Sequence, residues 1–301
     1  MTAVQAPGAP RQTRPDVIVA RPSLDAPEGA RSGSWWVYAL LIGGLLLMVG
    51  PFLWMVLGAL KPQPEFLVSP PTFLPKNPTT DNFGRLFDQL DFPRFFFNST
   101  VVAVAVTLGN LLFCPMLGYA LAKLQWRGKR LVMGLVLATL MVPAGITLIP
   151  NFVLMRNLGL VNTYPGLILP FLVGPFGVFL TRQFMYGIPN ELLEAARIDG
   201  ANEWRIFWQV VLPITVPVLA TLGILTFLGS WNSFLYPLVM AQEPEMYTLP
   251  VALATFSTGQ YQADHGMLMA GSVVLVLPVL IIFILFQRWI TEGIATTGLK
   301  G

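Results

Sequence analysis

The feature that most limits what this chain can fold into is where its charges are missing. Asp, Glu, Lys and Arg are absent from Trp35–Leu60, Phe95–Ala122, Leu131–Met155, Asn157–Thr181, Ile206–Gln242 and Gly266–Gln287. A helix crossing the hydrocarbon core of a bilayer needs about 20 mostly apolar residues. Each stretch reaches that length, so the chain is predicted to be an all-α polytopic membrane protein with six transmembrane helices. The expected spans are 36–60, 97–122, 131–155, 163–185, 214–238 and 267–290. The fifth stretch is too long for one span, and its start, Ile206–Pro213, is expected at the membrane surface. Runs such as Leu40–Val49 do not alternate apolar and polar residues, which argues against a barrel. Only 11% of the 301 residues are charged, against about 25% in a soluble domain. That figure excludes a soluble globule, and the high hydrophobicity excludes a disordered chain.

The Lys and Arg residues that remain sort the loops. The tail 1–34, the loops after the second and fourth spans, and the C-terminus hold 13 of them; the opposite loops hold 5. Lys123, Arg127, Lys129 and Arg130 fall within one short loop. Positive charge marks the cytoplasmic side, so both termini are predicted to be cytoplasmic. Residues 1–34, rich in Pro, Ala and Arg, are expected to form a disordered cytoplasmic tail ahead of a membrane domain, 35–301. The net charge of +3 is then a topology signal. No basic stripe interleaved with aromatics appears outside the spans, so the expected surroundings are membrane lipid and no nucleic acid.

The spans offer little chemistry of their own. No acidic residue lies between Asp91 and Glu191, whereas ion-coupled transport usually needs an intramembrane carboxylate. The single histidine, His265, stands at the outer end of the sixth span without a metal-ligand cluster, and Cys114 reads as a small buried apolar residue. Arg127-Gly128-Lys129-Arg130 lacks the upstream glycine and the hydroxyl of a phosphate loop. The chain is therefore expected to be no enzyme, with no metal, no cofactor and no ATP site of its own.

One cytoplasmic loop differs from the rest. Residues 189–213 hold four of the 15 acidic residues. Asn190 is expected to cap a helix, Glu191 and Glu194 lie in its positive first turns, and Gly200 can end it in a left-handed conformation. A second amphipathic segment leads to Leu212-Pro213, where the fifth span begins. The pattern suits a short docking element between two spans. Glu194-Ala195-Ala196, Asp199-Gly200-Ala201 and Leu212-Pro213, at this spacing, resemble the EAA signature of bacterial ABC importer permeases. Pro71-Thr72-Phe73-Leu74-Pro75, Trp231-Asn232-Ser233-Phe234, Thr248-Leu249-Pro250-Val251 and the ending Gly293–Gly301 are similar to the carbohydrate, maltose-type branch. Thr297 and Leu299 depart from the usual tail.

The resemblance implies a permease subunit of an ATP-driven sugar importer in a bacterial inner membrane. It implies a second homologous permease, two ATP-binding ATPase subunits, an extracytoplasmic solute-binding protein and a sugar substrate as partners. The segment 190–200 would be the coupling helix. Glu194, Ala195, Ala196, Asp199, Gly200, Leu212 and Pro213 would dock the ATPase, and Gly298, Lys300 and Gly301 would contact it from the tail. Asn232, Tyr236, Trp231, Asn110 and Tyr119 are candidates for the substrate pathway, as the polar and aromatic residues of the second and fifth spans. Loop 239–266, with Gln242, Tyr247, Gln260 and Tyr261, would face the binding protein. Two other readings stay open: an ABC permease for glycerol phosphate, a polyol or another solute, and a gradient-driven secondary transporter.

Overall fold

The computed structural model describes residues 35–70, 72–258 and 264–298, and all regular structure among them is helical. The expected tail 1–34 and the residues Gln260, Tyr261, Lys300 and Gly301 lie outside the described residues. By internal contacts the chain divides after Gly50. Of the first unit, Trp35–Gly50 is described; it is the opening of α1 (Trp35–Ala59), an apolar helix whose side chains are largely exposed.

Within residues 51–301 the proline-rich stretch after α1 supports only short elements, α2 (Gln63–Phe66) and α3 (Asp81–Gln89). Next comes α4 (Phe92–Ala122), 31 residues long and the central element of the fold. Side chains of α4 enter each of four separate core clusters.

The third expected span is not one straight helix. α5 (Lys129–Met141) and α6 (Ala144–Asn157) meet at 112°. Pro143 explains the break: it disfavours helical backbone at Val142, which is extended at φ −82, ψ 120. The fourth is also segmented, into α7 (Tyr164–Ile168), a 3-10 turn at Leu169–Phe171 and α8 (Pro175–Tyr186), with Pro170, Gly174 and Pro175 as the interruptions.

After α9 (Asn190–Ile198) come α10 (Glu203–Ile206), a π turn at Phe207–Val211 and α11 (Leu212–Ile214). Pro213 lacks an N–H and its ring crowds the carbonyl four residues earlier, which accounts for the widened turn. A 78° bend then leads into α12 (Val216–Trp231). The fifth expected span reached Leu238. Helix α12 instead stops at Trp231, and α13 (Leu235–Met240) restarts beyond Asn232–Phe234. A 3-10 turn at Pro244–Met246, α14 (Leu249–Thr258) and the long α15 (His265–Gly298) complete the chain. Among the described residues four helical segments are each long and apolar enough to cross a membrane, and two bent pairs reach that length only together, giving four to six candidate spans.

The seam between α4 and α8 is built from small residues and polar contacts. A Cβ added at Gly118 would stand 2.5 Å from Thr181 Oγ1 and 3.0 Å from the Arg182 nitrogen; one at Gly177 would stand 2.8 Å from Cys114 Sγ. Thr181 Oγ1 donates across the seam to the Cys114 carbonyl at 3.0 Å. Lipid supplies no hydrophobic drive between helices, so close backbone approach and hydrogen bonds hold such pairs together.

Contacts between loops then gather at two ends of the fold. At one end Arg94 Nε donates to the Glu245 carbonyl, and Asn98 Nδ2 donates to those of Glu245 and Tyr247. Asn162 Nδ2 donates to Glu243, and Arg85 pairs with Asp264. The other end holds the loop after α4 and the segment 187–213.

Gly118→Ala should destabilise the folded protein by about 1–3 kcal/mol, because both Thr181 and the α8 backbone must move. Gly134→Ala, with open space around the added carbon, should leave thermal unfolding in detergent unchanged. Equal unfolding temperatures for the two variants would contradict the packing described.

Candidate functional site

Helix α9 is short, polar and attached to α4 at both of its ends. Its start was expected to be capped by Asn190. Pro189 occupies the cap position instead and makes no side-chain cap. Asn190 is the first helical residue, and its Oδ1 accepts from Lys123 Nζ at 2.8 Å. Lys123 directly follows α4 and also donates to the Ile188 carbonyl.

The far end closes as the sequence predicts. Gly200 is left-handed at φ 82. Its N–H donates to the Arg197 carbonyl, and the Ala201 N–H donates to the Ala196 carbonyl, each at 3.0 Å. That pair of bonds is the Schellman arrangement, which satisfies carbonyls left open by the last turn. No atom lies within 4 Å of a Cβ built on Gly200, so only its backbone angle excludes larger residues.

Glu203 is the second tie. It opens α10, whose N-cap Asn202 accepts from the Arg205 N–H at 2.9 Å. Glu203 Oε1 accepts from Arg197 Nε on α9 at 2.8 Å. Its other oxygen, Oε2, accepts from Tyr119 OH on α4 at 2.6 Å. The hydrogen bond from Arg197 holds the Glu203 carboxyl below the ordinary carboxylate range, and Tyr119 acts the same way against burial. The same hydrogen bond raises Arg197. Beneath these bonds Leu193 of α9 is buried in a cluster with Tyr119, Met185, Ile188, Ile206 and Phe207.

The outward side of α9 has no cover among the described residues. Leu192 is 47% exposed and Ile198 87% exposed, with the small, exposed Ala195 between them at helical spacing. Glu194, Asp199 and Gly200 are exposed beside them, while Ala196 is half-buried. Leu212 and Pro213 belong to α11, at the turn into α12, and Leu212 packs against the buried cluster that holds Leu193. Gly298 is the last described residue of α15.

The five candidates for a substrate pathway separate. Asn110 and Tyr236 line a cavity of about 310 Å3 with Phe171, Thr226, Ser230 and Ser233. Both are committed to the backbone. Asn110 Nδ2 donates to the Phe171 carbonyl at 2.7 Å and its Oδ1 accepts from the Gly174 N–H at 2.8 Å. Tyr236 OH donates to the Gly166 carbonyl at 2.8 Å. Trp231 is buried outside the cavity, stacked on Phe227, with Nε1 donating to the Leu275 carbonyl at 3.0 Å. Asn232 is exposed and donates to the Leu228 carbonyl. Tyr119 lies apart from this cavity: its hydroxyl donates to Glu203 at the α9 attachment. The hydroxyls of Thr226, Ser230 and Ser233 were not singled out from the sequence. Serines and threonines are common in membrane helices, and only the break after Trp231 places these beside a cavity.

Comparison with known proteins places this geometry. A family model described as the binding-protein-dependent transport system inner membrane component matches residues 115–296. An arabinooligosaccharides transport system permease protein of Halalkalibacterium halodurans is 41% identical over 85% of this chain and 92% of its own length. A diacetylchitobiose uptake system permease protein of Streptomyces coelicolor is 35% identical over 86% of each chain. Among solved structures, a bacterial ABC transporter involved in the import of the acidic polysaccharide alginate superposes with a TM-score of 0.75 at 27% identity. That match covers 87% of this chain and 99% of the other.

A double-mutant cycle on Tyr119→Phe and Glu203→Gln should show coupling of roughly 0.5–3 kcal/mol in stability, as for residues in one network. Because Glu203 is depressed in the folded state, its tie to Arg197 is intact above the ordinary carboxylate range. It is lost as pH falls through the depressed value. Strictly additive effects of the two substitutions would contradict the contact.

Proposed function

Since the chain belongs to the binding-protein-dependent transport system inner membrane component family, we propose that it takes up sugar as one permease of an ATP-driven importer, with α9 as its coupling helix. It is a multi-pass inner-membrane transport subunit, and ATP hydrolysis belongs to a separate subunit. The observation that carries the coupling role is the double attachment of α9 to α4, through Lys123 at its start and Glu203 at its end. A helix tied at both ends moves as one body with the element that holds it. The exposed face of Leu192, Ala195 and Ile198 receives the push, and α4 carries it into the bundle.

In this reading the chain crosses the membrane six times, with the bent pair α5–α6 counted as one span and α12 as the crossing part of the fifth, α10 and α11 lying at the cytoplasmic surface. Both termini are cytoplasmic, in line with the 13 to 5 distribution of Lys and Arg. A second homologous permease completes the pathway, two ATPases bind below, and a solute-binding protein delivers substrate from the far side. Oligosaccharide is the favoured substrate class. Relatives are named for arabinooligosaccharides and diacetylchitobiose, and the alginate transporter for an acidic polysaccharide. The cavity beside Asn110 and Tyr236 opens among α4, α8 and α12, with the hydroxyls of Thr226, Ser230 and Ser233 available to a sugar.

Copurification should bring down an ATPase and a second permease with this chain; transport by the chain alone would overturn the reading. Gly200→Val, which cannot adopt the left-handed angle cheaply, and Glu194→Lys should each abolish uptake while the protein still inserts. Gly200→Asn should retain part of it, since Asn tolerates that conformation. Normal uptake by Gly200→Val and Glu194→Lys would remove α9 from the coupling path.

A further inference from the structure

A cleft of about 890 Å3 lies between the ends of α4 and α8 and the start of α5. Its mouth carries Lys123, Lys129, Arg130 and Arg182. Glu191 is the one carboxylate in its lining, and neither ion pair among the described residues involves any of the four cations. Their polar contacts are to neutral acceptors. Lys129 Nζ donates to the Leu124 carbonyl at 2.9 Å, Lys123 Nζ to Asn190 Oδ1 at 2.8 Å, and Arg182 Nη1 to Gln183 Oε1 at 2.6 Å. Arg182 Nε is buried with no hydrogen-bond partner. Burial holds Lys123 below the ordinary lysine range, with Lys129 adding to the effect and Glu191 opposing it. Four cations crowded round one carboxylate favour a bound anion.

The inner wall of the same cleft is apolar. Met133 and Leu137 line it one and two turns along α5 from Lys129, and Leu137 lies about 12 Å from Lys129 at 1.5 Å per residue. A cationic rim at the cytoplasmic end of a membrane segment, continuing into an apolar wall, matches a lipid phosphate above an acyl chain. Basic pockets between transmembrane helices on this side are suited to acidic headgroups. We propose that this cleft is a binding site for an anionic phospholipid, its phosphate among Lys129, Arg130 and Arg182 and an acyl chain along Met133 and Leu137. A free phosphate would use the rim but gain nothing from the wall. A soluble partner protein would not reach Leu137 between membrane segments.

The site is testable on the assembled transporter without ATP, so its outcome is independent of the coupling role of α9. The complex is taken from bilayers of phosphatidylglycerol and phosphatidylcholine, and the lipids it retains are identified by native mass spectrometry. Wild type should retain phosphatidylglycerol in preference. The double variant Arg130→Gln, Arg182→Gln should lose that preference roughly 30-fold, by the electrostatic contribution of two cations near a membrane surface. Assembly with the partner subunits provides the folding control. Equal retention of both lipids by wild type, or unchanged retention by the double variant, overturns the proposal. Displacement of phosphatidylglycerol by inorganic phosphate alone would reduce the site to a simple anion site and overturn its lipid assignment. A photoreactive side chain at Leu137 should capture phospholipid; capture of a polypeptide instead would make the cleft a protein interface.

Discussion

The structure depends on how closely α4 and α8 can approach. Between two helices in lipid there is no water to expel, so attraction comes from packing and from hydrogen bonds that the bilayer cannot replace. Gly118 and Gly177 bring the backbones together, and the Thr181 hydroxyl is shared between the Cys114 carbonyl across the seam at 3.0 Å and the Gly177 carbonyl of its own helix at 2.7 Å. Asn110 does the same further along, closing on the Phe171 carbonyl and the Gly174 N–H where proline and glycine interrupt the fourth span. Broken helices are tolerated in a membrane only where other groups satisfy the freed backbone, and here Asn110 is that group. With the seam fixed, α4 can serve all four core clusters and can carry a load from one end to the other.

In the proposed coupling role that load enters at α9. A helix of nine residues has no stability of its own in water, so its position is set by what it is tied to. Lys123 holds its first turn, Leu193 anchors its middle, and Arg197 reaches Glu203, which in turn holds Tyr119 of α4. Charge-assisted bonds of this kind are stronger and more directional than neutral ones. The consequence is a stiff connection between an exposed face and the central membrane helix. In the proposed role the work is done on α9 by a different protein.

Much of this was legible in the sequence, for physical reasons that can be named. Charge is costly in hydrocarbon, so its absence marked the helical segments; Gly200 marked the end of α9 because only a left-handed turn needs a glycine there. Cys114 was rightly read as a buried apolar residue. The breaks were harder. Pro143 reads as an ordinary membrane proline until its effect on Val142 is seen, and hydropathy is blind to the 112° angle that follows. For Tyr119, sequence spacing places it on a span and says nothing of its partner, Glu203, 84 residues later. Glu203 itself looked like one acidic residue in an acidic loop. Asn190 has the composition of a cap, but Pro189 before it takes the cap position.

The central claim is that α9 and α4 move as one body when ATP drives the transporter. Spin labels at Glu191→Cys on α9 and Leu112→Cys on α4, with Cys114 replaced by alanine, report that distance directly in the assembled complex. The distance distribution should be the same in the nucleotide-free and ATP-bound states. A shift between the two states approaching one helical turn, about 5 Å, would show that α9 slides against α4 and would contradict the account.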